Sequence, residues 1–184
     1  MARVDDLLAA YRAVVELPWA SGLSAGERTW FVVYEPQDER RLRLRLGEFE
    51  LATQQAGHAW AAVDLTPAFA QWMAGHEYRE SYFAVPEDVQ MVLETDFSEA
   101  VAARIREAPI ADAVGNTVLA VIGVGSLFGL AMLSRVLEQV GRDIPGRLAV
   151  FFPGEFDGGN YRLLGARDGW SYLATPILVQ GSYA

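Results

Sequence analysis

The 184-residue sequence contains no cysteine and no lysine; all fifteen basic residues are arginine, and the only histidines are His58 and His76. Without cysteine there are no disulfides, no thiolate zinc sites and no nucleophilic thiols. Without lysine there is no Schiff base, no pyridoxal anchor and no P-loop lysine to reach the β and γ phosphates of a nucleotide. Neither histidine belongs to an HxH or HExxH pattern, so both read as ordinary loop or surface residues and no metal site is assigned. Long apolar runs are missing as well. The most apolar stretch, Thr117 to Leu133, is broken by glycines and small polar residues and falls short of the roughly 18 apolar residues that mark a membrane span. The opening MARVDDLLAAYRAVVELPW carries two aspartates by its sixth residue, which does not fit the basic and then apolar layout of a secretory signal.

What is present is ordinary globular composition, 52% hydrophobic and 21% charged, which predicts one compact domain spanning residues 1–184. The net charge of −9 repels phosphate backbones, so direct nucleic-acid binding is disfavoured. Arg40, Arg41, Arg43 and Arg45 lie at helical spacing and read as a solvated surface able to meet an acidic partner.

The hydrophobic pattern alternates helix and strand. Val4, Leu7, Leu8, Tyr11, Val14 and Val15 fall on one helical face, with Asp5 as a cap. Trp30 to Tyr34 is an apolar run of strand length. Leu42, Leu44, Leu46, Phe49 and Leu51 predict an amphipathic helix ending at Gly57, and Trp60 to Leu65 a second strand. Residues 67–108 read as mostly helical, with a break near Pro86. Thr117 to Ile122 and Leu148 to Phe152 are two further buried strands. Between them, Leu130, Leu133, Leu137 and Val140 share a helical face that ends at Gly141. Tyr161 to Leu164 and Trp170 to Ile177 flank a hairpin-like loop, and Pro176 marks a sheet edge. The expectation is a three-layer α/β fold: a mostly parallel four- or five-stranded sheet, helices on both faces and a C-terminal hairpin at the edge.

In such sheets ligands bind beyond the carboxyl ends of the strands. Gly123, Gly125 and Ser126 lie in a glycine-rich turn placed as a P-loop would be, a candidate anion-binding turn of degenerate kind. The spacing Gly123, Gly125, Gly129 departs from GxGxxG, GxxxxGK[ST] is absent, and Phe128 stands where a GxSxG elbow needs glycine. Glu35, Asp64 and Glu155 or Asp157 are carboxylates on the same rim, suited to Mg²⁺ or to helix caps and loop ends. No catalytic residue and no cofactor is assigned. The alternative reading is a Mg-dependent nucleotide-binding or phosphoryl-transfer enzyme built on the Gly123–Gly129 turn.

The most distinctive stretch is FFPGEFDGGNYRLL followed by ARDGWSYLATPI. It crowds aromatics and arginines of the kind enriched in interface anchors around a Gly158-Gly159 hinge. Phe156, Asn160, Tyr161, Arg162, Arg167, Asp168 and Trp170 are its candidate partner-binding residues, and an internally packed hairpin is the other reading of the same pattern.

That stretch, with Glu48 to Thr53, the flanks of Phe83, and Gly123 to Leu130, resembles the BrxB family of BREX (bacteriophage exclusion) phage-defence systems over nearly the whole chain. FFPGE with NYRLL and ARDGW carry most of the likeness. The resemblance implies a cytoplasmic, non-catalytic, protein-binding subunit of a system that couples adenine methylation of host DNA to a block on unmodified phage DNA. It implies docking to PglZ, a protein with an alkaline-phosphatase-like domain, in support of complex assembly or regulation, and a degenerate P-loop-like or Rossmann-like core whose nucleotide site is lost.

Overall fold

A computed structural model describes residues 2–110, 115–166 and 169–179. Four apolar runs become β1 (Thr29–Tyr34), β2 (Ala59–Asp64), β3 (Thr117–Ile122) and β4 (Arg147–Asp157). Three short strands follow, β5 (Asn160–Leu163), β6 (Trp170–Ser171) and β7 (Thr175–Ile177). They form one open seven-stranded sheet in the order β2-β3-β4-β1-β7, with β5 joined to β4 and β6 to β5. Pairing along β2-β3-β4-β1-β7 is parallel, whereas β4-β5 and β5-β6 are antiparallel.

The α/β class therefore stands, but the sheet is mixed and has seven strands in place of the four or five expected. The physical reason lies in β4. It runs past the rim of the sheet to Asp157 and folds back at Gly158 and Gly159, whose φ angles of +54° and +85° L side chains rarely adopt. The chain pairs again as β6, antiparallel to β5. The expected C-terminal hairpin is thus present as β5-β6, pairing Tyr161 with Trp170. Pro176 lies in β7 at the end of the sheet order, beside Phe31, where a residue without an N–H is tolerated.

Strand periodicity sorts side chains onto two faces. Trp30, Val32, Tyr34, Val118, Ala120, Ile122, Ala149 and Phe151 pack against α1 (Ala2–Val15), α2 (Glu39–Leu44) and α3 (Leu46–Gln55). The opposite set, including Phe31, Leu119, Val121, Val150 and Phe152, packs against the second group of helices. These are α4 (Ala68–Gly75), α7 (Ser98–Arg106) and α8 (Leu133–Val140), with the short α5 (Arg79–Ala84) and α6 (Gln90–Val92) between α4 and α7 in the chain. The four-residue spacing of Phe97, just before α7, with Val101 and Ile105 on it places all three in this core. Each large side chain so buried contributes about 1.5–3 kcal/mol of transfer free energy.

Three local expectations need correction. The first helix already begins at Ala2, so Asp5 lies within its first turn, where it favours the helix dipole, and pairs with Arg45 at 2.6 Å. The helix expected from Asp38 to Gly57 is broken at Arg45, whose ψ of 9° leaves the helical range, giving α2 and α3. Leu44 and Leu51, each two residues and so about 200° round its own helix from the buried Leu42 and Phe49, face solvent. Gly57 does terminate α3. With φ at +86° it donates to the Gln54 carbonyl, and His58 N–H reaches that of Thr53, which closes a Schellman motif.

Candidate functional site

Parallel pairing carries the carboxyl ends of β1, β2, β3 and β4 to one rim, with Tyr34 beside Pro153 and Asp64 beside Ile122. Just beyond β2, Asp64 Oδ1 accepts hydrogen bonds from the Thr66 N–H at 2.9 Å and the Thr66 hydroxyl at 2.6 Å. Arg43 of α2 donates to Asp64 Oδ2 at 2.9 Å, to Thr66 Oγ1 at 2.7 Å and to Glu39 at 2.5 Å. Tyr34 closes the set by donating its hydroxyl to Glu39. Burial alone would raise the Asp64 pKa, but the bonds from Arg43 and Thr66 outweigh it and hold the carboxyl below its usual range. The same bond to Asp64, with smaller help from Glu39, raises the Arg43 guanidinium pKa. Desolvation first, and the Glu39 carboxylate second, push the Tyr34 phenol well above its normal value. Every polar group in this set has a partner within the chain, so the arrangement locks β2 to α2.

The glycine turn leans on this lock. A Cβ on Gly123, whose φ is +77°, would fall 2.4 Å from Thr66 Oγ1 and 2.6 Å from Asp64 Oδ1, so only glycine fits. The turn does not open directly into a helix as the sequence suggested. Val124–Leu127 form one 3-10 turn, and α8 begins at Leu133. The N–H groups of Ser126, Phe128 and Leu130 donate to the carbonyls of Gly123, Gly125 and Leu127. In a phosphate-binding turn such donors project toward the ligand; here they close successive turns of the backbone. Gly125 lies against Pro153 and Leu164.

The rim carboxylates divide between two places. Glu35 pairs with Arg3, and Glu35, Glu155 and Asp157 line one cleft from which Asp64 is absent. Among the described residues no three His, Asp or Glu side chains come together as a metal site. His58 stacks on Trp19 at 3.8 Å and bonds Asn116 Oδ1 at 2.6 Å, while His76 packs against Trp72 and Tyr82. The arginine run mostly turns back on its own chain. Arg41 pairs with Asp38, Arg43 with Glu39 and Asp64, and Arg45 with Asp5 and Glu48.

The C-terminal aromatic segment points largely inward. Tyr161 is 0% exposed, with its ring 4.3 Å from that of Phe31 and its hydroxyl donating to the Ala174 carbonyl; burial raises its pKa. Trp170 and Phe156 are half-buried against the same cluster, Arg162 is half-buried, and Asn160 is exposed. Arg167 and Asp168 lie outside the described residues.

Sequence reasoning missed a different surface. From Ala74 to Val92 every residue is exposed or half-exposed, and α5, the Pro86–Val89 turn and α6 contribute no buried side chain. Yet Tyr78, Phe83, Val85 and Met91 lie here, Phe83 at 64% and Met91 at 81% exposure. Four carboxylates, Glu77, Glu80, Glu87 and Asp88, accompany one basic residue, Arg79, which is paired with Glu80. Several large apolar groups left in water along one excursion are what docking surfaces look like. The available signal was that Tyr78, Tyr82, Phe83 and Met91 hold no single helical stripe across Pro86.

No helix among the described residues is long and apolar enough to cross a membrane. Comparisons with protein-family models, curated proteins and solved structures find no match for this chain.

Proposed function

We propose that this chain is a non-catalytic, partner-binding component of a BREX-type phage-defence complex, acting in the cytoplasm and docking the system's PglZ protein to support assembly or regulation. The observation that carries the docking reading is the excursion from Ala74 to Val92, which exposes Tyr78, Phe83, Val85 and Met91 without burying any side chain of its own. Exposed aromatic and methionine side chains supply large contact area on binding, and the four carboxylates around them favour a partner patch that is apolar at its centre and basic at its rim. The choice of PglZ and of the defence system rests on the resemblance carried by Phe151 to Glu155, Asn160 to Leu164 and the ARDGW stretch. Two features of the rim support a structural role for its polar groups: Arg43, Asp64 and Thr66 satisfy one another, and the Ser126, Phe128 and Leu130 amides are spent on backbone carbonyls.

The test is co-purification of the tagged chain with PglZ, beside an unrelated acidic α/β protein as control. Tyr78→Ser/Phe83→Ser/Met91→Ser is expected to abolish capture while leaving the melting temperature within a few degrees, since none of the three side chains is buried. Capture of PglZ no better than by the control protein contradicts the reading.

A further inference from the structure

The Pro86–Val89 turn leads into one unbroken helical run from Gln90 to Arg106, made of α6, a π turn over Leu93–Phe97 and α7. That run lies beside α8 and points the same way. Near their starts Glu94 pairs with Arg135 at 2.9 Å, and near their ends Arg106 donates to the Asp143 carboxylate at 2.9 Å and to the Gln139 carbonyl. Leu93 and Leu133 bury their side chains in one core, with Val89, Leu130 and Ala131 packed against it.

The outward side of this pair of helices is apolar as well. Met91 and Met132 each stand three residues, about one turn, before the Glu94–Arg135 pair, and both are exposed, as is Phe128. Because the two elements are parallel, the two methionines lie on the same side of the ion pair, so the apolar surface of the excursion does not end at Met91. Carboxylates border it: Glu87 and Asp88 precede Met91, Glu138 follows Arg135 along α8, and all three are exposed. The cations of the two segments, Arg79 and Arg135, are each engaged by a glutamate. A second copy of this chain, itself at −9, would set these carboxylates against their own kind. A partner element that is apolar along one face and basic along its flanks matches both properties. The seam between two parallel helices takes a third helix laid along it, and methionine adapts its shape to such an insert.

We infer that the docking surface of residues 74–92 continues past the Glu94–Arg135 pair onto Met132 and Phe128, and that it receives an amphipathic helix of a partner protein, apolar on one face with arginine or lysine on its flanks. The inference rests on the docking reading above and extends it to residues outside the excursion and to the chemistry of the partner element.

Fluorescence anisotropy at about 150 mM salt, where long-range attraction is screened, tests it. The probe is a labelled peptide of about 18 residues with leucines at helical spacing and arginines on the flanks, beside a twin whose arginines are replaced by glutamates. The arginine peptide is expected to bind at least about tenfold tighter than its twin. Phe128→Ser/Met132→Ser, exposed changes that leave the core untouched, is expected to weaken binding about tenfold with the melting temperature kept within a few degrees, whereas Leu17→Ser/Leu173→Ser, at exposed apolar positions elsewhere, leaves binding unchanged. No binding of the arginine peptide up to about millimolar concentration, equal binding of the twin, or indifference to the Phe128 and Met132 change overturns the inference. A wild-type dimer in sedimentation that the same double change dissolves assigns the surface to a second copy and overturns it as well. PglZ capture is read separately: capture with a silent peptide overturns this inference alone, and a binding peptide without capture overturns the choice of PglZ alone.

Discussion

Two regions of this molecule share a richness in aromatic residues and have opposite physics. The C-terminal strands β4 to β6 and the excursion from Ala74 to Val92 are both rich in aromatics, glycine or proline, and carboxylates. In the first, ladder pairing of Tyr161 with Trp170 and Phe156 presses the rings onto Phe31 and Phe152. In the second, a proline interrupts two short helices, so no continuous stripe forms and the rings remain in water. Residue type tells that an aromatic will be energetically important; backbone pairing decides whether that importance is spent on folding or on a partner.

The largest effect that would break this comparison is at Tyr161. Tyr161→Ala is expected to cost about 3–5 kcal/mol in urea unfolding, as deletion of a buried ring does, whereas Tyr161→Phe loses one hydrogen bond to Ala174 and about 1 kcal/mol. A Tyr161→Ala variant of full stability would place that ring outside the core. Next comes Gly123→Ala, which meets Thr66 and Asp64 in a left-handed conformation. Thermal unfolding should show a loss of about 2 kcal/mol or more. Phe83→Ser alone, by contrast, should move stability by no more than about 0.5 kcal/mol in the same assay while weakening PglZ capture.

The smallest effect concerns acid. Asp64 has a folded pKa below its unfolded value, so its contribution is fully present above the unfolded carboxylate pKa of about 3.9 and is lost as pH falls through the folded value. Asp64→Asn should therefore lower stability at pH 7 and flatten its decline below about pH 4, measured as melting temperature against pH.

Much of the framework was legible because burial on both faces leaves an uninterrupted apolar run: β1 and β3 are buried at every position. Gly57 and Pro176 were readable because each has one physical use at its position. The break at Arg45 was not, since Arg45 pairs with Asp5 of α1, forty residues earlier, as well as with Glu48 in the following turn, and local leucine spacing does not encode the distant partner. The glycine turn was misread as opening a helix because α8 starts only at Leu133, after a 3-10 turn that glycine spacing does not encode. The excursion went unread for a simpler reason, that exposed and buried aromatic residues are the same letters until their neighbours are known.

Hydrogen–deuterium exchange of the chain, alone and bound to PglZ, tests the central claim most directly. The account expects slowed exchange concentrated in residues 74–92, with β5 and β6 unchanged. Protection confined to residues 156–172, with 74–92 exchanging as in the free chain, would contradict it.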